Sequence, residues 1–154
     1  MSALVVGVGN LARGDDALGP LVAARVARLH LTDVEVAVDE EPLTLVEHFG
    51  THHDVVVVDA VRGRRTPPGT VHVVRVGPAP LRSEAGVLGS HGIGVAEVVE
   101  LARALGRLPQ RLTIVGVEVQ VCDVGAPMSE PAQDSLDDAV RAVLDALPTT
   151  TRHP

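Results

Sequence analysis

With 154 residues and 45% hydrophobic content, the chain is long enough for one domain with a packed core, and too apolar for a disordered segment. A formal charge of −7, a single phenylalanine and no tyrosine or tryptophan leave neither a basic patch nor stacking platforms, which excludes a nucleic-acid binder. Cys122 is the only cysteine, so an internal disulfide and a multi-cysteine zinc site are excluded as well.

The elements alternate between strand and helix. Leu4 to Val8 is a short apolar run ending in glycines and predicts a buried strand. Leu18, Val22, Val26 and Leu29 recur at helical spacing, with Pro20 in the first turn where it is tolerated. Val34 to Val38 reads as a second strand and Pro42 to Phe49 as a short helix. Asp54 to Asp59 holds four consecutive valines, which suits a central strand covered on both faces. Pro67-Pro68-Gly69 marks a turn, and Thr70 to Val76 follows too soon for a helical crossover, so that strand should run antiparallel to its predecessor. Pro78 to Ser90 shows no period and reads as a loop. Val95, Val98, Ala102 and Leu105 make the apolar face of a third helix, and Leu112 to Val117 forms a last strand. Ser129 and Pro131 signal the start of a final helix with Leu136, Val140, Val143 and Leu147 on its core face.

The result is an α/β fold, a three-layer αβα sandwich with a mixed, mostly parallel five-stranded sheet and one antiparallel strand. It occupies residues 1–154 as one domain, with a frayed tail over 149–154. The N-terminus has no basic start of a signal peptide, and no run is long enough for a membrane helix, so the expected location is the cytoplasm. No exposed stripe calls for self-association, and a monomer is expected.

Ligands of open α/β sheets sit beyond the C-terminal ends of the parallel strands, which picks out 9–16, Asp39-Glu40-Glu41, Asp59 and Glu118 onward. Gly7-Val8-Gly9-Asn10-Leu11-Ala12 fits a lenient dinucleotide pattern, with Asp39 placed for a ribose. Asp15-Asp16 at the helix start argues against it, because carboxylates there would repel a diphosphate. Either acid could instead cap the helix, leaving the other for a cleft. Asp59 ends the valine strand and should emerge partly desolvated, needing a cation, a metal or several donors. His91 lies between glycines at the start of the third helix, where the dipole favours neutral, metal-ligating imidazole. The other histidines have weaker claims; His52-His53 precedes a strand at the wrong edge of the sheet. No nucleophile elbow, Walker loop or H-E-x-x-H helix is present. Two carboxylates and one histidine, delivered from separate strand ends and helix starts, form a ligand set for a divalent transition metal with open positions.

Taken together, Gly7-Val8-Gly9-Asn10, Gly14-Asp15-Asp16-Ala17-Leu18-Gly19, Val55-Val56-Val57-Val58-Asp59-Ala60 and Ser90-His91-Gly92 resemble the motifs of the hydrogenase maturation proteases. Leu108-Pro109, Val115-Gly116-Val117-Glu118 and Met128-Ser129 are similar to the family too, so the likeness runs from Leu4 to about Leu147. Asp16, Asp59 and His91 fall on its metal-binding positions, with Asp16 one methylene shorter than the glutamate common there. The resemblance implies an endopeptidase that removes the C-terminal extension of a nickel–iron hydrogenase large-subunit precursor already loaded with nickel. Nickel would then belong to the precursor rather than stay bound as a cofactor. It also implies catalysis through Asp16, Asp59 and His91, with backbone N–H groups around Gly9-Asn10 as candidate oxyanion donors. A nickel-sensing chaperone that docks without cutting is the alternative, and a dinucleotide-binding module the more remote one.

Overall fold

The computed structural model describes residues 2–62, 66–81 and 94–149. Its strands are β1 (Ala3–Val8), β2 (Val34–Asp39), β3 (Asp54–Val61), β4 (Val71–Arg75) and β5 (Arg111–Glu118), arranged β2-β1-β3-β5-β4 in one sheet. The first three and β5 run parallel, and β4 lies antiparallel on β5 at the edge. The helices are α1 (Leu18–Ala27), α2 (Leu45–Phe49), α3 (Val95–Ala104), α4 (Glu130–Asp134) and α5 (Leu136–Ala146), with 3-10 turns at Gly14–Ala17 and Pro42–Thr44 leading into the first two. This is the expected αβα sandwich.

The valine strand shows why it sits at the centre. Side chains alternate across a strand, so Val55 and Val57 face one way and Val56 and Val58 the other. The first pair packs with Leu4, Val6 and Ile114 under α2 and α3, against Leu45, Phe49, Val98 and Ala102. The second packs with Val5, Val115 and Val117 under α1 and α5, against Leu18, Val22, Val26, Ala139 and Val143. Both faces of β3 are therefore excluded from water, worth about 1.5–3 kcal/mol for each large aliphatic side chain.

Three helices differ from expectation, the third by ending at Ala104 so that Leu105, expected on its apolar face, is exposed. The first ends at Ala27 rather than Leu29, because the chain turns away through left-handed His30 (φ 48°) and Asp33 (φ 57°). The last one starts as predicted, with Ser129 accepting the Ala132 N–H, but it is divided at Ser135. The Ser135 hydroxyl donates to the Ala132 carbonyl at 2.6 Å, a back-bond that bends helices.

The glycines of the first loop serve packing. A Cβ on Gly7 would lie 2.2 Å from the Gly19 carbonyl oxygen, and one on Gly19 would lie 2.3 Å from that of Val8. The first turn of α1 thus rests backbone to backbone on β1. Gly7→Ala should cost about 2–4 kcal/mol, since neither facing backbone can retreat without moving the helix. Urea titration of both variants checks this: Gly77→Ala, with nothing within 4 Å of its added carbon, should be close to neutral.

Candidate active site

The chain leaves β1 through α1 to reach β2 on one side, then returns through α2 to β3 on the other. These two helices lie on opposite faces, which opens a crevice where β1 and β3 end. Register deepens it. The β1–β3 pairing stops at Gly7 opposite Val58, whereas β3 and β5 continue together to Val61 opposite Glu118. Asp59 is the first residue of β3 beyond the last β1 partner.

Asp59 is only 6% exposed, and its carboxyl is pushed up to about 8. Burial is the main cause, the charge of Asp16 adds to it, and a hydrogen bond from the Ala60 N–H opposes both. Two acids from opposite sides of the crevice therefore sense each other. Asp16 is held by its Oδ2, which accepts the Asn10 N–H at 3.0 Å. Gly9 makes that turn possible: at φ 146° it folds the loop so tightly that a Cβ there would lie 2.0 Å from the Asp16 carbonyl oxygen. The space a pyrophosphate would need beside the glycines is filled by the chain itself, so the dinucleotide reading is not supported.

Asp15 points elsewhere. It is fully buried, with Oδ2 accepting from the Gln120 and Val121 N–H groups at 3.0 Å each and from the Ser129 hydroxyl at 2.8 Å. Oδ1 accepts the Ser129 N–H at 2.6 Å. Burial alone would raise this carboxyl, but these hydrogen bonds outweigh it and hold it below the usual carboxylate range. The capping expectation is corrected here. Neither Asp15 nor Asp16 caps a helix, since Arg13 and Ala17 occupy the cap positions without side-chain bonds. Asp15 instead ties the first loop to the segment leaving β5.

The expected oxyanion donors are also corrected. The Gly9 N–H donates to the Asp39 carbonyl and the Asn10 N–H to Asp16, so both are already engaged. His91 lies outside the described residues, as do 82–90 of the predicted loop and all but the first residue of the predicted tail. Among the described residues no third His, Cys, Asp or Glu completes a metal-holding group with the acid pair. Asp39 meets His48 at 2.9 Å, and His52 meets Glu35 at the far end of the sheet, away from the site.

Sequence reasoning missed two arginines. Arg13 donates through Nε to the Cys122 carbonyl at 3.3 Å, and Arg62 through Nη2 to that of Gln120 at 2.7 Å. The Cys122 thiol between them is buried and raised, first by that burial, with Arg62 opposing, Asp16 and Asp15 reinforcing and Arg13 again opposing. A usable signal existed. Each arginine stands three residues from a candidate acid, Asp16 or Asp59, in an acidic chain.

The fold and site define an α/β sandwich with a carboxylate pair at its switch point. A family model for hydrogenase maturation protease (HycI) matches residues 40–146. The Hydrogenase 2 maturation protease of Escherichia coli K12 is 27% identical over 150 residues, covering 96% of this chain and 91% of that protein. The hydrogenase expression/formation protein HupD of Rhizobium leguminosarum bv. viciae is 29% identical over 148 residues, covering 94% and 73%. The structure of the hydrogenase maturating endopeptidase HybD from E. coli superposes with a TM-score of 0.77 at 23% identity, over 96% of this chain and 92% of that one, and shows the same fold. The chain belongs to the hydrogenase maturation protease family.

The two buried acids should act oppositely on stability. Asp15 loses its contribution as pH falls through its lowered value, and Asp15→Asn should cost about 3 kcal/mol by opposing an NH2 to N–H donors. Asp59 keeps a proton in the fold that the unfolded chain has released, so stability should fall as pH rises from about 4 to about 8. In thermal melts of metal-free protein, Asp59→Asn should flatten that fall and melt several degrees above wild type at pH 9.

Proposed function

We propose that this protein is an endopeptidase that removes the C-terminal extension of a nickel–iron hydrogenase large-subunit precursor after nickel has been loaded. The single observation that carries this is the acid pair at the switch crevice, in a chain of the maturation protease family. Burial and the neighbouring Asp16 push the Asp59 carboxyl up to about 8, so a cation would favour its ionised form, and Asp16 adds a second oxygen donor. Such a pair suits a divalent ion delivered by the substrate, whose arrival offsets the cost of ionising Asp59 where it is buried beside Asp16.

In this reading the precursor's nickel is part of the substrate, not a resident cofactor, and Asp16, Asp59 and His91 engage it. A carboxylate of the pair takes a proton from the attacking water as the oxygen bonds to the scissile carbonyl carbon. The C–N bond then breaks, and the proton passes to the leaving amine. The nickel-binding roles of all three residues rest on the family motifs and, for the two acids, on the geometry above. A non-cleaving chaperone is not favoured, because the family model and the E. coli relatives are named as proteases and both acids are in place here. The reading also keeps the protein a cytoplasmic monomer. A charge of −7 favours a dispersed chain, and among the described residues no helix is long and apolar enough to cross a membrane.

The test is incubation with a nickel-loaded precursor, followed by the mass of the large subunit. Wild type should shorten it at one bond. Asp59→Asn and Asp16→Ala should each slow cleavage by about a thousand-fold or more, as expected for groups that touch the reacting atoms. Cleavage at wild-type rate by Asp59→Asn would remove that residue from the site.

A further inference from the structure

The segment 120–122 is gripped from both sides. Its N–H groups at Gln120 and Val121 donate to Asp15, while its carbonyls at Gln120 and Cys122 accept from Arg62 and Arg13. A loop clamp needs one donor from each guanidinium, and a guanidinium carries several N–H donors in a planar fork. The remaining donors stand at the end of the sheet that carries Asp16 and Asp59.

Their environment is unusual for this chain. Among the described residues, Arg13, Arg62 and Arg103 are the half-buried arginines. Arg103 is paired with Glu100 at 3.1 Å, and exposed Arg25, Arg111 and Arg141 also reach an Asp. Among the described residues, Arg13 and Arg62 have no carboxylate in ion-pair range, as is true also of Arg28, Arg75 and Arg107, but those three are exposed, and Arg13 and Arg62 alone are both half-buried and without an acid. Arginine in such a setting recognises a planar anion that arrives from outside.

We infer that Arg13 and Arg62 form a guanidinium seat for a carboxylate of the precursor segment lying across the cut, and so set which segments are accepted. This rests on the endopeptidase reading. The charge of Asp16 disfavours an acidic group at the crevice, and the two arginines offset that on the flank nearest segment 120–122. They are specificity determinants and take no part in bond breaking.

The experiment couples enzyme and substrate variants. Arg13→Met and Arg62→Met are measured for Kd against the nickel-loaded precursor by calorimetry and for KM and kcat by cleavage. The precursor is used intact, with each Asp and Glu around the cut changed singly to Asn or Gln, and with the extension's terminal carboxylate amidated. Each arginine variant should raise Kd and KM about ten- to a hundred-fold while kcat stays within about two-fold. One carboxylate change should cost wild type the same factor and cost the arginine variants nothing more, and the amidated arm tells a side chain from the terminus. Arg62→Lys should recover only part of the loss. If the losses simply add, or if the variants lose melting temperature and kcat with unchanged Kd, the arginines only clamp the loop and the seat is refuted. A wild-type protein that binds but does not cut would overturn the endopeptidase reading and leave the seat standing on its Kd coupling.

Discussion

Asp15 is the contact on which the rest of the site depends. The loop after β1 is nine residues of mostly small or polar side chains with little apolar surface to hold it down. A single buried carboxylate, accepting from two backbone amides, a serine amide and a serine hydroxyl, carries it across the end of β3 and fixes it to the exit of β5 and the start of α4. Charge-assisted bonds of this kind are roughly twice as strong as neutral ones, and here the charge has every oxygen engaged. With the loop fixed on that side, Asp16 has no freedom except to face the crevice.

The two buried acids, Asp15 and Asp59, are under opposite demands. Asp15 is ionised at a profit to the fold, and Asp59 is protonated because the fold penalises its charge. Asp16 stands between them, contributing the field that helps to hold Asp59 neutral. A site built this way is at odds with its own stability until a cation arrives. That conflict is common where chemistry, rather than packing, has chosen the residue.

Much of the fold was legible from residue patterns because its strands are buried on both faces. Four valines in a row could satisfy a two-sided strand and little else, and the short 62–70 connection left β4 only an antiparallel place. Strand ends were less legible. Ala60, Val61 and Glu118 extend β3 and β5 because each pairs with the other, a property of the partner rather than of either segment. The division of labour between Asp15 and Asp16 was not readable either. Adjacent identical residues differ only in what lies opposite, and the donors that claim Asp15 are more than a hundred positions away. Distance also hid Arg13 and Arg62, whose carbonyl partners lie 109 and 58 positions away in the last third of the chain. Asp16 and Asp59 were found because a rule about sheet topology places strand ends together without needing any contact to be known.

That long separation also orders events in time. The bonds that fix the first loop close sequence intervals of 105 to 114 residues, ending at Ser129. During synthesis, the amino-terminal strands can pair and the valine core can begin to form while the clamp's partners are still inside the ribosome. Asp15 meets the last of its donors only after the serine has emerged, whereas the Asn10 N–H that holds Asp16 is six residues away and available from the start. The anchoring of the first loop by Asp15 is therefore completed only with nearly the last helix.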